Sequence, residues 1–201
     1  MWGRAVTELR TATRFNASAR LTPANALTLA RILLAPVLFV LIFAAEDTRG
    51  ASWPVFTLGV LLALTDHYDG QLARRHGTTR SGAFLDPLAD KVVVIGAMVS
   101  LVIVDRYWWF PVAIVTAREV AITAMRAHFA RSGMAIPART SAKYKTLVQG
   151  MALLVAVIPV LEDTQTPGVV ALWIAVALTL WSGWQYVRDG SSGTTTRGSR
   201  H

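Results

Sequence analysis

Residues 64–91 read LTDHYDGQLARRHGTTRSGAFLDPLADK and place four aspartates between two apolar stretches of the chain. The four are Asp66, Asp69, Asp86 and Asp90. An ionised carboxylate costs roughly 2.5–3.5 kcal/mol at the centre of a membrane-spanning helix. Four of them would together cost about as much as the whole stability of a small domain. This stretch therefore predicts acids that lie near a membrane surface and are neutralised by a cation.

The composition of the chain is typical of a membrane protein. Of its 201 residues, 53% are apolar and only 16% are charged, which is too apolar for an ordinary soluble domain. There is no cysteine, so a disulfide framework and a thiolate metal site are excluded. The net charge of +8 suits an anionic membrane surface or an anionic substrate. Because the basic residues are dispersed between apolar stretches, nucleic acid is not an expected partner.

The apolar stretches predict an all-α integral membrane protein with six transmembrane helices and an N-terminal interfacial amphipathic helix. The expected spans are residues 26–45, 51–66, 83–104, 108–129, 144–161 and 167–187. We expect an N-terminal cytoplasmic amphipathic segment at 1–25, a six-helix membrane domain at 26–189 and a flexible tail at 190–201. The first segment holds four arginines beside apolar residues and no long apolar run, which favours an interfacial helix over a secretory signal.

The charges in the connecting loops predict the orientation of the protein. Basic residues cluster before the first span, between spans 2 and 3, between spans 4 and 5, and after span 6. The opposite loops carry only Arg49 and Arg106 among several acidic residues. By the positive-inside rule, both termini and the four aspartates are expected on the cytoplasmic side of the plasma membrane.

The spacing of the aspartates indicates a shared site. Asp66 and Asp69 are three residues apart, and Asp86 and Asp90 are four apart, so each pair lies on one helix face. A chain reversal between the pairs brings all four together. Oxygen ligands suit hard cations such as Mg²⁺ or Mn²⁺, and four carboxylates can hold two ions. The alternatives are that Asp86 is an N-cap before Pro87 and that the first pair is solvated at a helix end.

The aspartates belong to a longer pattern, Asp66-x2-Asp69-Gly70-x2-Ala73-Arg74 followed by Gly82-x3-Asp86-x3-Asp90. This pattern resembles the signature of the CDP-alcohol phosphotransferase family. Three further segments are similar to the branch of that family whose acceptor is glycerol 3-phosphate: Asn25–Pro36, Thr116–Glu119 and Lys143–Thr146.

The resemblance implies that the phosphatidyl group of CDP-diacylglycerol is transferred to sn-glycerol 3-phosphate, with release of CMP. It also implies two Mg²⁺ or Mn²⁺ ions held by Asp66, Asp69, Asp86 and Asp90, of which Asp90 also takes the proton of the attacking hydroxyl. The residues implied in nucleotide binding are Asn25, Thr28, Gly70, Ala73, Arg74, Thr79 and Gly82. Members of the family tend to form homodimers, so a second copy of the chain is an expected partner.

Basic residues near spans 4 and 5 are candidates for binding the acceptor phosphate. Arg118 lies in the middle of a span beside Glu119. An arginine at membrane depth indicates a functional site. The candidates are Arg118, Arg126, Arg139, Lys143 and Lys145. The alternatives are a structural ion pair between Arg118 and Glu119, and ordinary positive charges of cytoplasmic loops for the others.

Two rival functions stay open on these observations. One is a related enzyme with another acceptor, such as phosphatidylglycerol, an inositol phosphate or serine, although the basic residues favour a phosphorylated acceptor over serine. The other is a divalent-cation transporter that uses the same aspartates. Transporter sites usually lie near the bilayer midplane on broken helices, whereas these acids lie at the ends of spans beside a basic segment. That position favours an anionic nucleotide substrate.

Overall fold

The computed structural model of the chain describes residues 23–76, 82–131 and 140–193. In these ranges the chain forms six α-helices and no strand. The helices are α1 (Pro23–Ala44), α2 (Trp53–His76), α3 (Gly82–Ile103), α4 (Trp109–Arg131), α5 (Thr140–Ala156) and α6 (Thr166–Gly193). The prediction of an all-α protein is confirmed for this described part of the chain.

Two of these helices are long and apolar enough to cross a membrane by length and composition. The qualifying stretches are Ala26–Ala44 of α1 and Thr166–Gln185 of α6. Shorter apolar stretches occur in α2 and α5, at Trp53–Asp66 and Lys145–Ala156. Six membrane crossings therefore stay a prediction, whereas the helices themselves lie close to the predicted spans.

Large apolar side chains cover much of the outer surface of the helices. Leu33 and Val40 of α1, Val120 of α4, and Leu180 and Trp181 of α6 are all exposed. Extensive exposed apolar surface is rare on soluble monomers and marks contact with lipid or with another protein. This surface supports a membrane location.

The inner face of α1 is a regular stripe. Thr28, Arg31, Ala35, Leu38 and Ile42 recur every three or four residues, and all five are buried. This spacing places them on one side of a helix, and α1 packs against both α2 and α3. The stripe is apolar towards the end of the helix and polar at its start, so α1 carries a buried threonine and a buried arginine into the bundle.

A glycine lets α1 and α3 approach closely. A Cβ atom at Gly96 of α3 would lie 2.3 Å from Cζ of Phe39 on α1, a distance that no real contact allows. Phe39 therefore contacts Gly96. Two turns earlier on α1, Arg31 contacts Asp90, which also comes before Gly96 on α3. Since both contacts advance in the same direction along the two helices, α1 and α3 run parallel.

Both aspartate pairs lie within helices rather than at helix ends. Helix α2 continues beyond its apolar part to His76, so Asp66 and Asp69 have at least one full turn after them. Helix α3 begins at Gly82, four residues before Asp86. The alternatives of an N-cap at Asp86 and of a helix end at the first pair are therefore wrong.

The second half of the chain forms the rest of the bundle. Helix α6 packs against α5 and α4, and α4 also packs against α3. Contacts of α5 with α2 and α3 join the two halves. The buried core includes Leu101 of α3, Val115 of α4 and Leu172 of α6. Helix α6 ends at Gly193, so the predicted tail at 190–201 begins within this helix.

Arg106 closes the end of the bundle opposite the aspartates. Its Nε donates to the carbonyl of Ala156 at 2.8 Å, Nη1 to that of Glu162 at 2.8 Å, and Nη2 to that of Leu161 at 2.7 Å. The hydroxyl of the adjacent Tyr107 donates to the carbonyl of Ala152 at 2.7 Å. Burial raises the pKa of Tyr107 above its ordinary value, so this phenol stays protonated. Arg106, which sequence analysis treats as a loop charge, is a buried connection between the α3–α4 loop and the end of α5.

Candidate active site

Helices α1, α2 and α3 bring three charged side chains together. Nη1 of Arg31 lies 3.0 Å from Oδ1 of Asp66 and 2.8 Å from Oδ1 of Asp90. Because both carboxylates contact one nitrogen atom, they must lie close to each other. The two aspartates come from the two halves of the motif, so the predicted convergence of these halves is observed for this pair.

The three side chains differ in their access to solvent. The side chain of Arg31 is only 2% exposed, whereas those of Asp66 and Asp90 are 43% and 35% exposed. The arginine therefore reaches the carboxylates from inside the bundle, while their other side stays open to a ligand. Arg31 uses Oδ1 of each carboxylate in these contacts, and a carboxylate has a second oxygen with which to accept or coordinate.

Sequence analysis assigned no role to Arg31. The signal was present, because Arg31 is a cationic residue within an apolar helix and falls on the same three-four repeat as Leu38 and Ile42. A charged residue on the buried stripe of such a helix indicates a partner of opposite charge. The repeat alone does not predict which helix supplies that partner.

The other predicted residues of the first site have the following positions. Thr28 is buried on α1, three residues before Arg31. Asp69 lies on α2 and Asp86 on α3, each about one turn from its described partner in the motif. The helix bounds place Asn25 on α1, and Gly70, Ala73 and Arg74 on α2 with Asp69; Gly82 begins α3, which also carries Asp86. Thr79 lies outside the described residues.

A second polar cluster lies between α4, α5 and α6. Oε1 of Glu119 accepts hydrogen bonds from Nζ of Lys145 and, at 3.1 Å, from Nη1 of Arg118. Nη2 of Arg118 donates to Oγ of Ser182 on α6 at 2.8 Å. The side chains of Arg118, Glu119 and Lys145 are 10%, 12% and 6% exposed. One buried carboxylate oxygen therefore holds both a guanidinium and an ammonium group.

Further hydrogen bonds fix this cluster in place. Ser182 donates to the carbonyl of Thr179 at 3.1 Å, and Gln149 donates to the hydroxyl of Thr179 at 3.0 Å. The ion pair between Arg118 and Glu119, an alternative considered from the sequence, is therefore present, but it is part of a larger network. Nε of Arg118 is buried and has no hydrogen-bond partner among the described residues.

The acceptor candidates are only partly brought together. Arg118 and Lys145 both contact Glu119. Arg126 lies on α4 and Lys143 on α5, and Arg139 lies outside the described residues. Sequence analysis missed the contribution of α6, although Thr179 and Ser182 are polar residues three apart within a largely apolar helix.

Comparisons with known proteins show the family of the chain. The family described as CDP-alcohol phosphatidyltransferase matches residues 21–181. The chain belongs to this family. The match covers α1 to α5 and the first part of α6, so it includes the first cluster and every member of the second cluster except Ser182.

Several curated proteins are similar to the chain over most of its length. A probable phosphatidylglycerophosphate synthase of Mycobacterium tuberculosis is 36% identical over 170 residues, which cover 82% of this chain and 79% of that protein. A CDP-diacylglycerol–glycerol-3-phosphate 3-phosphatidyltransferase of Pectobacterium atrosepticum is 43% identical over 169 residues, covering 80% of this chain and 90% of that protein. The protein with the same name from Escherichia coli K12 is 39% identical with the same coverage.

The family generally uses divalent metal ions, and the described residues fit such an ion. Asp66 and Asp90 offer only oxygen donors, and both are accessible, as a hard cation requires. Among the side chains that the structure describes, no group of three or more metal-ligating residues comes together. Asp69 and Asp86 lie about one turn from Asp66 and Asp90 on the same two helices.

Proposed function

We propose that this protein transfers the phosphatidyl group of CDP-diacylglycerol to sn-glycerol 3-phosphate, giving phosphatidylglycerol phosphate and CMP. One structural observation carries the proposal: Asp66 and Asp90, from the two halves of the family motif, meet on one buried arginine. The names of the similar proteins describe the same reaction.

Two Mg²⁺ or Mn²⁺ ions would be held by Asp66, Asp69, Asp86 and Asp90. Bound there, the ions would supply positive charge that stabilises the transferring phosphoryl group and the CMP leaving group. The exposure of Asp66 and Asp90 leaves room for a phosphate on the side away from Arg31.

Asp90 is the proposed general base. The acceptor hydroxyl oxygen forms a bond to the phosphorus that carries the diacylglycerol, and the bond between this phosphorus and the oxygen of CMP breaks. The proton of the hydroxyl passes to the Asp90 carboxylate, and CMP leaves as an anion. A base must lie within hydrogen-bond reach of the proton that it takes, and the partial exposure of Asp90 allows this approach.

The nucleotide of the donor lipid would lie beside the metal site. Thr28 is buried one turn before Arg31 on α1, so its hydroxyl belongs to the same end of the bundle as Asp90. The other proposed contacts are Asn25, Gly70, Ala73, Arg74, Thr79 and Gly82. Glycine in this motif would let the flat base and the phosphates approach the backbone closely.

The second cluster is the proposed site for the phosphate of the acceptor. A guanidinium has five N–H donors, and the described contacts of Arg118 use only Nη1 and Nη2. Lys145 adds a second positive charge on the same carboxylate. Arg126, Arg139 and Lys143 would complete the basic surface. Arg118 and Lys145 would repel each other, and the negative charge of Glu119 keeps them close together.

The proposed setting is the plasma membrane. The apolar stretches support six spans, and the distribution of loop charges supports cytoplasmic termini and a cytoplasmic active site. The burial of Arg106 supports this orientation, because it removes one of the few positive charges from the opposite surface. A homodimer embedded among membrane lipids is the proposed assembly.

The reaction is tested by CMP release from CDP-diacylglycerol, using the detergent-purified protein and one acceptor at a time. We expect release with glycerol 3-phosphate, dependent on Mg²⁺ or Mn²⁺, and none with serine. Release with phosphatidylglycerol or an inositol phosphate instead would keep the aspartate chemistry and refute the assigned acceptor. If folded protein releases no CMP with any acceptor but carries metal ions into sealed vesicles, the transporter hypothesis replaces the enzyme.

A further inference from the structure

Arg31 stands between two carboxylates that would otherwise repel each other. Its Nη1 contacts Oδ1 of Asp66 and of Asp90, and its side chain is 2% exposed. Two ionised carboxylates converging beside a bundle of low polarity need a nearby positive charge. The guanidinium of Arg31 supplies such a charge to both carboxylates.

A divalent cation would supply the same compensation. Metal ions are often the largest local charges in their sites and change the electrostatics of every group around them. The side chains of Asp66 and Asp90 are partly exposed, so an ion can reach them from solvent. Arg31 and a metal ion would therefore act on the same two negative charges.

We propose that Arg31 is the resident counter-cation of this site: it holds Asp66 and Asp90 together in the metal-free protein and competes with the metal for their charge. This inference rests on the proposed function in one respect, because it takes the aspartates to be the metal ligands. It makes Arg31 a positioning residue, which acts through the carboxylates.

Competition has a consequence that can be measured. Two cations that compete for the same charges are thermodynamically coupled, so removal of one strengthens the binding of the other. Replacement of Arg31 should therefore lower the stability of the metal-free protein most. Binding of metal should restore much of the lost stability. A residue with a purely structural role would cost the same stability in both conditions.

Arg106 provides a matched control within the chain. It is as buried as Arg31, at 2% exposure, but its partners are the backbone carbonyls of Ala156, Leu161 and Glu162. These carbonyls carry no net charge and lie at the other end of the bundle. Arg106→Gln should lower stability equally with and without metal.

The experiment is thermal unfolding of the full-length protein in detergent, in EDTA and in saturating Mg²⁺. We expect the Tm deficit of Arg31→Gln in EDTA to fall by at least about half in Mg²⁺, with a half-saturating Mg²⁺ concentration about 10-fold below that of the wild type. Arg31→Lys, which keeps a charge but not the planar fork, should show a smaller deficit in EDTA than Arg31→Gln.

Three results would overturn the proposal. An Arg31→Gln deficit that is equal in both conditions would make Arg31 structural, and weaker Mg²⁺ binding by this variant would make it a supporter of the metal rather than a competitor. If the wild type gains no Tm from Mg²⁺ or Mn²⁺, the metal site of the proposed function fails as well. The response of the wild type thus separates the two failures.

A second variant decides the case in which Arg31→Gln does not fold in EDTA. The double variant Arg31→Gln/Asp90→Asn removes one carboxylate together with its counter-cation. We expect this double variant to be recovered as folded protein in EDTA, because less negative charge is left without compensation. If it is not recovered, counter-charge is not what Arg31 supplies.

Discussion

The two ends of the bundle each contain a buried arginine, and the two arginines have different kinds of partner. Arg31 contacts the carboxylates of Asp66 and Asp90, which are partly exposed. Arg106 contacts backbone carbonyls in the turn after α5. Burial is the same for both, at 2%. The charge and accessibility of the partners therefore distinguish an arginine at a reactive site from one that holds a loop in place.

The same difference extends to the surroundings of each arginine. Near Arg31 lie two titratable groups that a ligand can reach, Asp66 on α2 and Asp90 on α3. Near Arg106 the hydrogen bonds are made to neutral groups, including the bond from Tyr107 to Ala152. Changes at the first end should alter rate and ligand affinity, and changes at the second end should alter stability alone.

The largest expected effect is the loss of transfer in Asp90→Asn. An asparagine cannot take a proton from the acceptor hydroxyl, and a general base contributes about 10²–10⁴-fold to rate. CMP release from CDP-diacylglycerol measures this loss, while binding of the CDP-lipid should be largely retained.

The control for this variant is Asp105→Asn at the other end of the bundle. Asp105 is exposed and has a left-handed φ of 55°, a conformation that asparagine adopts readily. We expect its rate to equal that of the wild type. An undiminished rate in Asp90→Asn would remove Asp90 from the role of base.

The next effect is on acceptor affinity in Glu119→Gln. The neutral amide can no longer hold Arg118 and Lys145 with a full negative charge, so the two cations should move apart. We expect the KM for glycerol 3-phosphate to rise about 10-fold, equivalent to about 1.4 kcal/mol of binding, with little change in the KM for CDP-diacylglycerol.

Glu162→Gln is the corresponding control, because the side chain of Glu162 is exposed and only its backbone carbonyl contacts Arg106. This variant should leave both KM values unchanged. A lower Tm in Glu119→Gln without any change in the KM for the acceptor would show that the second cluster has only a structural role.

A larger residue at Gly96 should disturb the packing of α1 against α3, which places Arg31 beside Asp90. Gly96→Ala puts a methyl group where the Phe39 ring lies, and overpacking of this kind costs about 1–3 kcal/mol. Since α1 and α3 must separate or Phe39 must turn, we expect both a lower Tm and a lower rate of CMP release.

Gly150→Ala is the matched substitution, because a Cβ atom there meets no other atom within 4 Å. Alanine favours the helix by about 1 kcal/mol over glycine, so its Tm should stay level or rise. Equal Tm values for the two variants would show that the approach of α1 to α3 is not limited by Gly96.

The smallest effect is expected for Tyr107→Phe. This change removes one hydrogen bond to a buried carbonyl and should cost about 1 kcal/mol of stability. The rate and both KM values should be those of the wild type at temperatures where the protein is folded. Thermal unfolding and CMP release on the same preparation check both statements, and a changed KM would contradict the separation of the two ends.

Much of the fold could be predicted from the sequence. The apolar stretches located all six helices to within several residues at most boundaries, and the three-four spacing of the aspartates put each pair on one helix face. The extension of α2 to His76 was not predicted, because residues 67–76 are mostly polar. A membrane span requires apolar side chains, whereas an α-helix can continue through polar ones. The inward orientation of Arg106 was not predicted either, since a loop charge is ordinarily expected in solvent.

By itself, the sequence determined the helices, the aspartate motif and the family to which the chain belongs. These features are local, because helix formation and the position of a residue on a helix face depend on neighbours three or four residues away. Only the tertiary structure decided that Arg31 joins Asp66 to Asp90, that Glu119 holds both Arg118 and Lys145, and that α6 contributes Ser182. The residues in each of these contacts lie on different helices, and which faces meet depends on the packing of side chains that are distant in the chain.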